Sequence, residues 1–199
     1  MAKHVDYYLS FTSPWTYLGS PEFGRICKDT GTSVNFFPCN FLEIFAATGG
    51  LPLGKRSPER QAYRLIEMER WGAWREMDIN LKPAHWPFDE TLAVGAFLAA
   101  TEAGADGHSL SHAIMRSVWA EERDMADAGE LKSVLEGFGL DSKTLLDKAA
   151  DLDATRAIIR KNTEAAIAVG VFGAPSYLYE NELFWGQDRL DFLERALRR

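Results

Sequence analysis

Val5-Asp6-Tyr7-Tyr8-Leu9 leads through Ser10-Phe11-Thr12 into Ser13-Pro14-Trp15-Thr16, and this junction decides how the chain folds. The first five residues are rich in aromatic and β-branched side chains and read as a strand. Ser13-Pro14 reads as a helix N-cap followed by the first helical position. A strand that delivers a short polar turn into a helix N-terminus makes an anion site, because unpaired N–H groups and the positive end of the helix dipole converge there. Ser13 and Thr16 stand where a Cys-x-x-Cys redox motif would place its two sulfurs. Such a turn cannot exchange disulfides, but it suits the thiolate of a small ligand. By itself Ser13-Pro14 is an ordinary N-cap, and the functional reading needs the rest of the chain.

Outward from this junction, Ser33 to Phe37 repeats the strand character after Gly31, which closes the intervening helix and completes a β-α-β opening. Pro21 predicts a kink or restart of that helix at Ser20-Pro21. Ser57-Pro58-Glu59 starts another helix, with Tyr63, Ile66, Ala73, Trp74 and Met77 on its apolar stripe and Trp71 off it. After the extended, proline-punctuated stretch 81–87, helices are expected over 90–104, 108–125, 129–137, 141–149 and 152–169, separated by glycines. The tail changes again. Ser176-Tyr177-Leu178-Tyr179, the turn Glu180-Asn181 and Leu183-Phe184-Trp185 read as a hairpin, and Leu190, Leu193 and Leu197 space out a last helix. A β-α-β unit at one end and β-β-α at the other is the thioredoxin-like α/β layout. Residues 1–40 and 171–199 would form that domain, with an all-helical insertion over 41–170.

With 22 basic and 29 acidic residues the net charge is −7, and no long run of either sign occurs, which argues against nucleic-acid binding. No apolar stretch approaches a bilayer span and no signal-peptide core follows Met1, so a cytoplasmic protein off the membrane is expected. Lys55, Arg56, Arg60, Arg64, Arg70 and Arg75 give 55–75 a basic tilt that suits a small anion or a solvated helix face. Cys27 and Cys39 have neither metal nor redox spacing and read as reduced core residues. His108 and His112, four apart, lack the acidic neighbour of a zinc-protease helix and read as a solvated helix start; no metal is expected. His4 and His85 read as structural, and Thr16 as a helix-surface or packing residue.

Ser13-Pro14-Trp15-Thr16-Tyr17-Leu18-Gly19, Val171-Phe172-Gly173-Ala174-Pro175 and Trp185-Gly186-Gln187-Asp188-Arg189-Leu190 occur in this order almost end to end. Together they resemble the 2-hydroxychromene-2-carboxylate isomerases, grouped with kappa-class glutathione transferases and DsbA-like proteins. The resemblance implies a glutathione-dependent isomerase of aromatic catabolism that interconverts 2-hydroxychromene-2-carboxylate and trans-o-hydroxybenzylidenepyruvate, acting as a homodimer. It places Ser13 on the glutathione sulfur as the catalytic residue. Ala174, before an expected cis-Pro175, would pair with the cysteinyl backbone. Trp185, Gly186, Gln187 and Asp188 would receive the γ-glutamyl end, with Asp188 meeting its ammonium. The family's naphthalene-pathway members hold substrate with an Asn-Arg pair in the insertion; here Gly50-Leu51-Pro52-Leu53-Gly54-Lys55-Arg56 lacks the asparagine. Lys55 or Arg56 is left as the expected partner of the aromatic carboxylate substrate, with Trp86 lining its pocket. Two other functions share the site: a kappa-like transferase that conjugates glutathione to electrophiles, and a non-catalytic glutathione- or peptide-binding module.

Overall fold

β1 (His4–Leu9) lies inside the sheet and is buried on both faces from Tyr7 to Leu9, which is why that end is apolar while exposed His4 and part-buried Asp6 stand at the other. The computed structural model describes residues 3–199. On one face Val5, Tyr7 and Leu9 join the main core; on the other Tyr8 packs with Cys39, Phe41, Ile44 and Val171. The sheet order is β2-β1-β3-β4, with β2 (Ser33–Pro38) parallel to β1, and β3 (Ser176–Tyr179) and β4 (Glu182–Trp185) antiparallel additions. Parallel β1 and β2 need a crossover, supplied by α1 (Pro14–Thr30). Gly31, at φ 64, ends α1 in the left-handed conformation and sends the chain into β2. Glu180 and Asn181 both take positive φ, the two-residue turn that matches the twist of a β3–β4 hairpin.

Between β2 and β3 the chain is helical: α2 (Phe41–Thr48), α3 (Pro58–Trp74), α4 (Thr91–Glu102), α5 (Gly107–Trp119), α6 (Ala128–Gly137), α7 (Ser142–Ala149) and α8 (Leu152–Ala168). α9 (Leu190–Leu197) follows the hairpin and buries Leu190, Leu193 and Leu197. Asn40, Asp106, Asp127, Asp141 and Asp151 cap helix starts with side-chain oxygens on free N–H groups. The two cysteines are buried and free.

Three expectations are corrected. α1 is not restarted at Pro21: the Tyr17 carbonyl that proline leaves bare accepts from the Ser20 hydroxyl at 2.8 Å, and the helix runs on. α3 buries the face opposite to the one its apolar residues mark. Tyr63 and Trp74 are 55% and 80% exposed and Ile66 is also exposed, while Met68 and Gly72 are buried and Leu65 and Trp71 pack on the core; of the expected stripe Met77, just past the helix end, does pack on the core. The inward stripe also contains Arg64 and Arg75, which hides it from a hydrophobicity count. His108 and His112 are not solvated: His108 packs edge-on against Phe23 and Phe36, and His112 stacks on Tyr17. Because Ser20 donates to Tyr17, the 2.8 Å contact between Ser20 Oγ and His112 Nδ1 puts the ring proton on Nδ1.

Candidate active site

The end of β1 and the start of β3 meet at Tyr8 and Ser176, so the turn leaving β1 lies beside the segment entering β3. On the β1 side, Ser13 caps α1: its Oγ accepts from the Thr16 N–H at 3.3 Å, and its carbonyl accepts from the Tyr17 N–H at 3.2 Å. A serine hydroxyl that accepts in this way still has its proton to donate. Thr16 itself is fully buried, and its Oγ1 has no partner.

The turn is braced from behind. Trp86 Nε1 donates to the Thr12 carbonyl at 2.8 Å and Trp119 Nε1 to the Phe11 carbonyl at 3.2 Å, with the two indoles 5.8 Å apart. Glu90 accepts from Ser10 Oγ at 2.9 and 3.0 Å and from the Phe11 N–H at 2.7 Å. Burial raises the Glu90 carboxyl to about 7, against the lowering effect of these donors. The N–H groups of Phe11, Thr12, Ser13, Thr16 and Tyr17 are all engaged within this frame, so the donors the turn keeps for a ligand are the Trp15 N–H and the Ser13 hydroxyl proton.

On the β3 side the Ala174–Pro175 peptide bond is cis. The sheet begins only at Ser176, and the turn bonds here run from the Gly186 N–H to the Pro175 carbonyl and from Ser176 Oγ to the Gly173 carbonyl. Ala174 keeps its own peptide groups out of both. Trp185 packs over Gly173, where a Cβ would come within 2.4 Å of its Nε1 and push the indole aside. Trp185 is exposed and tilts over Phe172.

Beyond Trp185, Gly186 takes φ 98, a conformation that favours glycine, and turns the chain so that Gln187 is buried against α1 while Asp188 stays exposed. The Asp188 carboxylate pairs with Arg189. Gln187 is held from α3 by the guanidinium of Arg75. A cleft of about 550 Å³ opens here, bordered by Leu18, Trp71, Trp74, Arg75, Gln187 and Asp188.

The three expected substrate residues are placed differently. Lys55 is exposed at the end of a short 3₁₀ turn. Arg56 donates from Nε to the Leu51 carbonyl at 2.8 Å and lies over Phe45, so one of its donors is given to its own loop. Trp86 braces the Thr12 carbonyl with its nitrogen and presents a ring face to Arg64. A second X-Pro bond, Trp86–Pro87, is also cis. Glu90 braces the turn, Arg75 holds Gln187 and Arg64 faces Trp86, and no motif marks any of the three; the one sequence signal was the basic tilt of 55–75, which covers the two arginines.

Burial raises the Cys27 thiol to about 12 and pushes Cys39 up as well, which keeps both protonated and unreactive. Among the described residues no group of three or more His, Cys, Asp or Glu is arranged to hold a metal, and no helix is long and apolar enough to cross a membrane.

Comparison with known proteins gives the family and the fold. A 2-hydroxychromene-2-carboxylate isomerase from Sphingobium xenophagum is 28% identical over 99% of this chain and 99% of its own length. The solved structure of a 2-hydroxychromene-2-carboxylate isomerase superposes with a TM-score of 0.83 at 24% identity, covering 98% of this chain and 95% of that one. The cytosolic disulfide reductase DsbM from Pseudomonas aeruginosa, solved with GSH, has a TM-score of 0.71 at 20% identity over 98% and 100% of the two chains. The model of the DSBA-like thioredoxin domain matches residues 4–198, and this chain therefore belongs to the DSBA-like thioredoxin domain family.

Proposed function

We propose that this protein is a glutathione-dependent isomerase of the 2-hydroxychromene-2-carboxylate type. The observation that carries this reading is the meeting of two half-sites: the Ser13 turn, which offers donors, and the unengaged Ala174 peptide ahead of cis-Pro175. A cysteinyl backbone laid along Ala174 as an added strand brings its side chain toward Ser13. Full-length likeness to isomerases and fold likeness to a protein solved with GSH support the assignment.

The residues fit a bound tripeptide thiol. Neither position of a dithiol motif holds sulfur, and the chain's own two thiols are buried, so the reactive thiol has to come from a ligand. When bound, glutathione would supply a thiolate for reversible addition to the conjugated double bond of the substrate, making that bond single and free to rotate until expulsion of the thiolate restores it. Ser13 Oγ–H donates toward the sulfur position while its lone pair keeps the Thr16 N–H. The N-terminus of α1 adds partial positive charge, and each pKa unit by which the thiol is lowered is about 1.4 kcal/mol of preference for the anion. Gln187 and Asp188 receive the γ-glutamyl end, with the Asp188 carboxylate exchanging Arg189 for the ligand's ammonium. Such an exchange costs little at an exposed pair.

Titration with glutathione, read by thiolate absorbance, tests the reading. Ser13→Ala is expected to bind glutathione still, through Ala174 and Asp188, with the thiol pKa of the bound form raised by about one unit. Equal thiolate in both proteins removes Ser13 from the mechanism. Product analysis with 2-hydroxychromene-2-carboxylate completes the test: an isomerase leaves glutathione unconsumed, and stoichiometric loss of glutathione assigns a transferase instead.

A further inference from the structure

Arg64 sits on the inward stripe of α3, half-buried, with its guanidinium carbon 5.4 Å from the centre of the Trp86 ring. Nothing among the described residues neutralises it. The charge that acts on it is that of Arg56, also positive, and with burial this lowers the Arg64 pKa to about 10. Other half-buried arginines are hydrogen-bonded: Arg75 holds Gln187, Arg56 the Leu51 carbonyl, and Arg123 the Glu130 carboxylate at 2.6 Å. A desolvated cation without a counter-ion, facing a second cation, is unfavourable unless an anion arrives. The same Trp86 that lies under Arg64 donates to the Thr12 carbonyl, one residue before Ser13. The unneutralised charge is therefore fixed, through one rigid indole, to the turn that faces the reacting sulfur.

We propose that Arg64 receives the carboxylate of the substrate, an aromatic 2-oxo acid, holding it against the face of Trp86; this rests on the isomerase reading above. The guanidinium is planar and matches a carboxylate with two parallel N–H donors, and stacking on an indole fixes the plane in which it presents them. Arg56 is less suited because its Nε is already given to the Leu51 carbonyl. Its role is to keep the local potential positive. Lys55, exposed on the 3₁₀ turn, has no such platform.

The test measures binding apart from turnover. Calorimetric titration of the glutathione-loaded protein uses phenylpyruvate, a carboxylate with no conjugated enone for a thiol to attack, and 1-phenyl-2-propanone, the neutral ketone in which a methyl stands for the carboxylate. Arg64→Gln is expected to lose about tenfold or more in affinity for phenylpyruvate with no change for the ketone, and Arg64→Lys to fall between, keeping the charge but not the fork. Equal phenylpyruvate affinity in wild type and Arg64→Gln overturns the assignment. So does failure of wild type to bind phenylpyruvate, or a loss confined to Arg56→Gln. Arg64-dependent binding in a protein that does not isomerise 2-hydroxychromene-2-carboxylate supports the assignment and overturns the isomerase reading.

Discussion

Arg75 grips Gln187 at two points: its Nε donates to the side-chain Oε1 and its Nη2 to the main-chain carbonyl, both at 2.8 Å. The contact joins α3 of the helical insertion to the turn between β4 and α9. Trp71, one turn earlier on α3, supports the guanidinium from below at 5.3 Å. From the other side Gln187 presses on α1, so closely that a Cβ on Gly19 would meet its Cβ at 2.8 Å. Gln187 is only 3% exposed, and its place is set by a clamp of arginine above and glycine below. Asp188, the residue assigned to the ligand's ammonium, is carried by this clamp.

Arg75→Met removes both hydrogen bonds while leaving aliphatic bulk on Trp71. Two buried oxygens of Gln187 then lose their donor, at about 1–3 kcal/mol each when nothing replaces it. Glutathione affinity is expected to fall about tenfold, measured by calorimetry, because the Asp188 turn is released. The thiol pKa of whatever glutathione binds is expected to stay as in wild type, since the proposed mechanism assigns it to Ser13. A shifted thiolate pKa with unchanged affinity would place Arg75 in the sulfur site and sink the positioning role.

The β-α-β and β-β-α ends were readable because their signals are local: strand composition in Val5–Leu9, a capping serine before Pro14, Gly31 at a helix end, and a two-residue turn at Glu180-Asn181. The inward face of α3 was not readable. Its stripe of Arg64, Leu65, Met68, Trp71, Gly72 and Arg75 carries two cations that tertiary contacts desolvate, and Tyr63, Ile66 and Trp74 outweigh it on the exposed side. Hydrophobic periodicity assumes that charge faces water, and here the arginines face Trp86 and Gln187. Glu90 escaped for a similar reason, as its partners Ser10 and Phe11 are some eighty residues away. Ser20 and His112, ninety-two residues apart, show how a long-range bond overrides a helix-start reading.

Thr16→Val tests whether the second hydroxyl of the turn has any part in the chemistry. The side chain is wholly buried and Oγ1 is unpaired, so an isosteric methyl removes a desolvation penalty of about 1–3 kcal/mol and leaves the fold in place. Urea unfolding is expected to show the variant about 1 kcal/mol or more stabler than wild type, with thiolate formation unchanged, because Thr16 serves the site through its main-chain N–H. Destabilisation of that size would mean the hydroxyl has a partner in solution.

Glu90 gives the turn a pH dependence of definite sign. Its carboxyl titrates near 7 in the folded chain, raised by burial from 4.5. Between these values the folded protein holds a proton that the unfolded chain has lost, so stability from this group is full below about 4.5 and is lost as pH rises through about 7. A shift of that size corresponds to at most about 3 kcal/mol. His108 and His112, which burial holds below their ordinary value, act oppositely, losing stability as pH falls. The Glu90 effect is therefore read as a difference. Glu90→Gln keeps an acceptor for the Phe11 N–H and an amide that can donate to Ser10 Oγ, and it does not titrate. Wild type is expected to lose about 1–3 kcal/mol more than Glu90→Gln in urea unfolding between pH 5 and pH 8, on the basis of that linkage. A gap between the two proteins that stays constant across this range would show that Glu90 is already ionised at pH 5, with its donors outweighing its burial.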